Sequence, residues 1–314
     1  MSGRSIIYMG SPGFAVPPLV ELYERGINIK AVVTQPDKER GRGLKVCYTA
    51  VKEKALELNI PVLQPVRMRD PLFIEELKNL DADLFVVVAF RILAPRVLEI
   101  PKLGSVNLHA SLLPDYRGAA PINHAIFNGE KETGVTVFFL NSGDVDSGDI
   151  VKQVSTTITN DDDYGSLYDR LSFMGKNVLA DAVTDILEGC AKSYRQENSS
   201  SKLAPKLFAN DFIIDWTKSA ESIHNRVRGL SPKPGSCTSI NGKRIKFLKT
   251  AFDNISTGLE PGTVVESDCR KGYIRIAAGS GSLTVTRVQL DSRPASDVGC
   301  FLNGFKLEPG SVFI

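Results

Sequence analysis

The sequence predicts an α/β chain: a Rossmann-like parallel-sheet domain followed by a small β-barrel domain of OB type. Three observations predict it. Through residue 189, short apolar runs alternate with helical patterns, the order expected of parallel strands joined by right-handed crossovers. The run Leu84 to Ala89 (LFVVVA) is apolar at every position, as a central strand covered on both faces must be. Beyond a polar, serine-rich stretch the helical alternation stops, and short strands separated by turns take over. The expected organisation is a catalytic domain over 1–189, a linker over 190–205 and a barrel over 206–314.

With 314 residues the chain is long enough for two domains, each with its own core. Its 42% apolar and 24% charged content is that of a globular protein. The opening residues MSGRSIIYMG lack the apolar core of a signal peptide, and even LFVVVAF is cut by Arg91, so a membrane partner is not expected. The five cysteines (Cys47, Cys190, Cys237, Cys269 and Cys300) are scattered, odd in number and free of any Cys-x-x-Cys pair. That predicts reduced thiols in a cytoplasmic protein and no zinc site. Three histidines are too few for a histidine-rich metal centre.

In chain order, Ser5 to Met9 reads as the first strand, and Gly10-Ser-Pro-Gly13 as its turn. A helix follows with Val16, Leu19, Val20 and Tyr23 on one face, and Gly26 closes it. The second strand, Ile29 to Thr34, ends without the acid that would hold a ribose, and Gly-x-Gly-x-x-Gly is missing, which disfavours NAD. Pro36 to Lys45 is charged and glycine-broken, a surface loop. Helix (Val51 to Leu58), strand (Val62 to Gln64), helix (Leu72 to Leu80) and the apolar strand continue the alternation.

Val106 to Pro121 (VNLHASLLPDYRGAAP) is the stretch around which the chain is organised. Asn107 and His109 lie two residues apart in a predicted strand from Gly104 to His109, so they share a face while Val106 and Leu108 take the other. The strand ends at once in a loop punctuated by Pro114 and Gly118. Open α/β sheets place ligands beyond the carboxyl ends of their strands. A helix over Gly118 to Asn128, a strand over Gly134 to Leu140 and an acid-rich loop, Asn141 to Asp149, come next. That loop lacks the twelve-residue spacing and terminal glutamate of an EF-hand, and the better reading is a turn presenting one carboxylate to the histidine. Ile150 to Ile158 reads as a strand or hairpin and Tyr164 to Leu187 as a long helix.

Asn107-x-His109-x-Ser111-Leu112-Leu113-Pro114 resembles the signature of the folate-dependent formyltransferases, and Tyr116-Arg117-Gly118-Ala119-Ala120-Pro121 narrows the resemblance to the branch that contains a tRNA-modifying enzyme. The resemblance implies transfer of a formyl group from 10-formyltetrahydrofolate, as co-substrate, to the α-amino group of charged initiator tRNA, for translation initiation. It implies Asn107, His109 and Asp146 as catalytic residues and Ser111, Leu112, Leu113 and Pro114 as the folate segment, with Val86 to Ala94 walling the pterin. Asp144 stays open as an alternative to Asp146, because the loop is one residue longer than the family pattern. Arg42 matches an arginine that reaches the acceptor end of the tRNA, and the implied state is a monomer without metal. Chemically, an amide N–H can donate to the oxyanion of the tetrahedral intermediate, and an imidazole titrates in the range that suits proton transfer. In this reading Asp146 fixes the histidine tautomer. Three departures from the pattern stand out: Arg91 where a glycine is expected, Lys233 where an aromatic is usual, and fewer lysines in Ser292 to Ser296.

The carboxyl-terminal part has a helix from Ser219 to Arg228, a hairpin signal at Ile240-Asn-Gly-Lys243 and strands at Arg244 to Leu248, Gly262 to Val265, Tyr273 to Ala277 and Leu283 to Leu290. From Lys202 onward 16 Lys and Arg face 10 Asp and Glu, against 22 and 26 before it. A basic second domain on a mildly acidic first one suggests a polyanionic partner. The rival readings are a formyltransferase acting on a small amine such as an amino-sugar nucleotide, a tRNA-binding protein without catalysis, and a nucleotide-dependent oxidoreductase.

Overall fold

The computed structural model describes residues 3–40, 45–197 and 202–314. They form two compact units. The first comprises Met1–Gly118, Glu132–Thr156 and Tyr168–Leu203; the second comprises Ala119–Lys131, Thr157–Leu167 and Ala204–Ile314. The division differs from the one expected at a single linker, since 119–131 and 157–167 pack with the carboxyl-terminal chain.

The first unit is built on a seven-stranded sheet: β1 (Ser5–Gly10), β2 (Asn28–Val33), β3 (Val62–Leu63), β4 (Leu84–Val88), β5 (Ser105–His109), β6 (Glu132–Phe139) and β7 (Ile150–Thr157). Its spatial order is β7-β6-β5-β4-β1-β2-β3. The run β3-β2-β1-β4-β5 is parallel, and β6 joins β5 antiparallel. Strand order therefore reverses between β1 and β4, and β5 ends beside that switch point. Every residue of β1 and of β4 is buried, as both-face covering requires.

Helices α1 (Val16–Glu24), α2 (Ala50–Glu57) and α3 (Pro71–Asn79) occupy the expected intervals. Thr49 and Asp70 cap the last two by accepting the N–H of Lys52 and Leu72. α1 buries Leu19 and Leu22, while Tyr23, expected on the apolar face, is exposed. A short helix α4 (Pro95–Leu98) was not legible, being a single turn started by proline. In the charged loop Lys38–Arg40 pairs antiparallel with Lys45–Cys47, and Arg42 lies outside the described residues.

The expected linker is anchored rather than free at its described ends. Tyr194 bridges Ile150, Gln196 is buried, and the amide of Tyr116 donates to the carbonyl of Lys202. No helix of the described residues is long and apolar enough to cross a membrane.

In the second unit α5 (Pro121–Phe127) lies against α7 (Ala220–Leu230). Between them in the chain runs the long α6 (Tyr164–Glu188). A Cβ on Gly229 would sit 2.6 Å from the Phe127 ring, so only glycine lets α5 and α7 approach this closely. Asn123 donates to the Gly229 carbonyl at 2.7 Å, and the buried Arg228 donates to the carbonyls of Thr159 and Asp162. Buried backbone carbonyls need such partners, which is why both stretches travel with this unit.

Among the described residues an antiparallel sheet of six strands follows: β8 (Ser236–Ile240), β9 (Lys243–Asp253), β10 (Val264–Asp268), β11 (Tyr273–Ala277) and β12 (Ser282–Leu290), in the order β8-β9-β12-β11-β10, with the short β13 (Ser296–Asp297) also paired to β12. The chain end joins the two edges. Ile314 exchanges backbone hydrogen bonds with Ser239, Ser311 accepts from Val264, and Phe313 donates to Gly262. Phe313 thereby packs on Trp216 and Phe247 in a core of Ile, Val and Leu. A last helix, α8 (Val298–Gly304), packs Val298 and Phe301 into the same core.

His224 on α7 donates or accepts through Nδ1 with the Thr250 hydroxyl at 2.9 Å and packs on Phe252. Burial first, then the nearby Arg228 charge, pushes its pKa down to about 4. The unfolded chain takes up this proton near 6.5, so the neutral folded form is favoured above that pH, and the advantage is lost as pH falls through 6.5 toward 4. His224→Gln should therefore flatten the acid-side fall of the unfolding midpoint between pH 7 and pH 4.5, as read by scanning calorimetry.

Candidate active site

Backbone pairing consumes β5 on both edges: Asn107 faces Val87 of β4 and Phe138 of β6, and His109 faces Thr136. Its side chains are thus sorted by alternation alone. Leu108 packs against Gly175 of α6, where an added Cβ would meet it at 2.8 Å, so Asn107 and His109 project from the opposite face.

His109 is buried, with 6% of its side chain exposed. Its Nε2 lies 2.9 Å from the carbonyl oxygen of Tyr116. A carbonyl only accepts, so Nε2 carries the hydrogen, and Nδ1 is the nitrogen left for chemistry. Nδ1 lies 3.6 Å from Oδ2 of Asp146. That is beyond hydrogen-bond length, so the two attract when a proton resides on Nδ1 and present lone pair to lone pair when none does. The tautomer is therefore set by a backbone carbonyl and not, as expected, by the carboxylate. Phe138 meets the imidazole edge to face, with centroids 6.4 Å apart.

Both partners sit on backbone that L residues rarely adopt: φ is 62° at Tyr116 and 55° at Asp146. Asp146 is held by Gly118, whose N–H donates to Oδ2 at 2.9 Å. Its carbonyl accepts from Nε2 of Gln196 at 2.9 Å. Asp144 is exposed, and its carbonyl accepts the Ser147 hydroxyl at 2.7 Å, so the loop directs Asp146 and not Asp144 toward the imidazole. The loop can close because residue 148 is glycine: a Cβ there would lie 1.7 Å from the Phe139 carbonyl oxygen.

Asn107 is half-buried, and among the described residues its side-chain amide has no hydrogen-bond partner. A donor pair beside a His–carboxylate pair, uncommitted to the fold, is free for a ligand. None of the five cysteines belongs to this group of residues, and among the described residues no cluster of His, Cys, Asp and Glu is arranged to hold a metal.

The segment Ser111 to Pro114 is wrapped by its neighbours. Ser111 is fully buried, its hydroxyl donating to the Asp115 carbonyl, and its own carbonyl accepts the Thr136 hydroxyl. Leu113 is buried with Phe138 and Ile150, and its backbone is tied to Thr136 and Gln153. Ser111 and Leu113 thus shape the loop through buried side chains, and only Leu112 and Pro114 keep partly open surfaces. Val86 to Val88 are likewise spent in the core, so the open part of the expected pterin wall is Ala89 to Ile92. Arg91, the departure from the family pattern, donates to the carbonyls of Pro65 and Val66 and so ties that lip to the loop after β3.

Sequence reasoning missed the Tyr116 carbonyl, the Gly118 amide and Gln196. The first two are backbone groups that no side-chain pattern announces. Gln196 sits in a polar, serine-rich run that reads as linker.

Among known proteins, the chain matches the model described as "Formyl transferase" over residues 5–183 and that described as "Formyl transferase, C-terminal domain" over 206–306. It is 42% identical over 313 residues, 99% of this chain and 97% of the relative, to a protein of Citrifermentans bemidjiense named methionyl-tRNA formyltransferase. A protein of the same name from Pelobacter propionicus is 44% identical over 314 residues, 99% of this chain and 97% of the relative. An N-formyltransferase structure from Helicobacter canadensis, in complex with folinic acid and dTDP-3-aminofucose, superposes with a TM-score of 0.68 at 23% identity, covering 90% of this chain and 98% of that one, a likeness of fold.

Gly148→Ala should cost about 1–3 kcal/mol by overpacking against the Phe139 carbonyl, measured by chemical denaturation, and should move the loop that carries Asp146.

Proposed function

Because the chain belongs to the formyl transferase family, we propose that it transfers the formyl group of 10-formyltetrahydrofolate to the α-amino group of methionine on charged initiator tRNA. The observation that carries the chemistry is the uncommitted Asn107 amide beside the His109–Asp146 pair at one strand end. The 42–44% identity to relatives of that name along 99% of the chain supports the substrate.

The attacking amine forms a bond to the formyl carbon, whose oxygen becomes an oxyanion. Asn107 donates its amide N–H to that oxygen, an interaction worth roughly 2.7–4 kcal/mol in comparable sites. Nδ1 of His109 takes a proton from the attacking nitrogen, and Asp146 stabilises the imidazolium so formed. The same proton is returned to N10 of the folate as the carbon–nitrogen bond breaks, so no covalent enzyme intermediate is needed. Leu112 and Pro114 offer the folate apolar surface, with Ala89 to Ile92 across from the strand end; the contributions of Ser111 and Leu113 are to hold that loop.

Within the second unit, Lys246 and Lys249 on β9 and Arg287 on β12 point outward, and Lys249 pairs directly with Arg287 across the strands. Like charges in that register repel. Arg287 also stands opposite Asp297 on the other side of its strand, but among the described residues neither Lys249 nor Arg287 has an ion pair, and a phosphate backbone would complement the positive charge of this face. Arg42, outside the described residues, is proposed to meet the acceptor end. A monomer in the cytoplasm, where tRNA is charged, fits this reading.

The direct test supplies the purified protein with 10-formyltetrahydrofolate and either charged initiator tRNA or an amino-sugar nucleotide. Formylation of the sugar alone would overturn the tRNA assignment. Asn107→Ala, His109→Ala and Asp146→Asn should each lower turnover by roughly 10²-fold or more while folate affinity, read by equilibrium titration, stays near that of the parent. Replacing Lys249 and Arg287 together by Ala should weaken binding of all tRNAs and reduce the salt slope of log affinity by about 2, one for each phosphate no longer neutralised.

A further inference from the structure

Gln196 is 5% exposed in a run whose other members are charged or small and polar. Its Nε2 donates to the carbonyls of Asp146 at 2.9 Å and Gly148 at 2.7 Å. Its Oε1 accepts from Nε of Arg117 at 3.0 Å and from Nη2 at 2.6 Å. All four hydrogen-bonding positions of a primary amide are used. The orientation is forced, because a flipped amide would set N–H against guanidinium N–H and oxygen against two carbonyls.

The hydrogen bonds close a ring. Arg117 holds Gln196, Gln196 holds the backbone of Asp146, and Gly118, next to Arg117, holds the Asp146 carboxylate. Asp146 needs such a ring, since its φ of 55° costs free energy that only its surroundings offset. We infer that Gln196 is a positioning residue that keeps the Asp146 carboxylate facing Nδ1 of His109 during proton transfer. The inference rests on the proposed roles of His109 and Asp146. It places the catalytic carboxylate under the control of a residue some fifty positions later in the chain, through one amide.

The decisive experiment compares Gln196→Met, close in length and volume but unable to make these bonds, with Asp146→Asn and with the double variant. Gln196→Met should lower kcat 10- to 100-fold with less than threefold change in KM for either substrate. Its pH profile should take the shape of that of Asp146→Asn. In the double variant the two losses should not multiply: kcat should be no more than about threefold below that of Asp146→Asn alone. Gln196→Glu, which keeps acceptors for Arg117 but sets an anion against two carbonyls, should be at least as impaired as Gln196→Met. Thermal unfolding is followed alongside to confirm that each variant is folded. Multiplicative losses, or a parental pH profile in folded Gln196→Met, would overturn the inference. A readout independent of turnover is the set of imidazole 15N resonances of His109 in the full chain. They should move alike in Gln196→Met and Asp146→Asn. Unmoved resonances in Gln196→Met sink the inference even if the substrate is not a tRNA, while absent formylation with moved resonances counts against the substrate reading alone.

Discussion

A buried imidazole must find a partner for each of its two nitrogens, and the site is arranged around meeting that demand for His109. One nitrogen is answered by a backbone carbonyl, which means the chain after β5 has to fold back on itself within seven residues. Tyr116 does so only in a left-handed conformation. The other nitrogen faces a carboxylate brought from the loop after β6, again from left-handed backbone. Two strained residues facing one ring are a cost of roughly 1–3 kcal/mol each. The fold offsets it with hydrogen bonds that would be hard to explain otherwise: the Gly118 amide on the carboxylate and the fully bonded Gln196 behind it.

The sheet supplies the rigidity those hydrogen bonds depend on. β5 is bonded on one edge to parallel β4 and on the other to antiparallel β6, so the end of β5 cannot shift without breaking both ladders. Thr136, opposite His109, then ties the Ser111–Leu113 loop down with its hydroxyl. The same residue thus serves the register of the strand and the shape of the proposed folate loop. A segment that resembles a ligand-binding signature turns out to spend two of its four side chains on holding itself in place, and that is compatible with recognition by the remaining surface and by backbone.

Asn107, His109 and Asp146, the residues proposed to act in catalysis, all belong to the first unit, and the chain leaves that unit directly after Gly118, the residue whose amide holds Asp146. Fold likeness, over 90% of this chain, to an enzyme described with a nucleotide-linked amino sugar shows that the fold by itself does not settle the acceptor. What favours the tRNA reading is the 42–44% identity along the whole chain to relatives named methionyl-tRNA formyltransferase, together with the outward Lys249 and Arg287, neither of which has an ion pair among the described residues.

From the sequence by itself came the alternation of strands and helices, the shared face of Asn107 and His109, the preference for Asp146 over Asp144 through the family pattern, and the basic second half. These are properties of spacing and composition, which act over a few residues at a time. Tertiary structure alone decided that a carbonyl, not a carboxylate, sets the histidine tautomer, since backbone groups carry no side-chain signature. It decided that 119–131 and 157–167 belong with the carboxyl-terminal unit, because only the assembled helices reveal that Gly229 admits Phe127 and that Arg228 answers buried carbonyls. It also decided that Gln196, one polar residue among many in an apparent linker, is buried with every hydrogen bond satisfied. A polar residue reads as exposed until the chain around it shows where its bonds go, and those partners lie about fifty residues away or more.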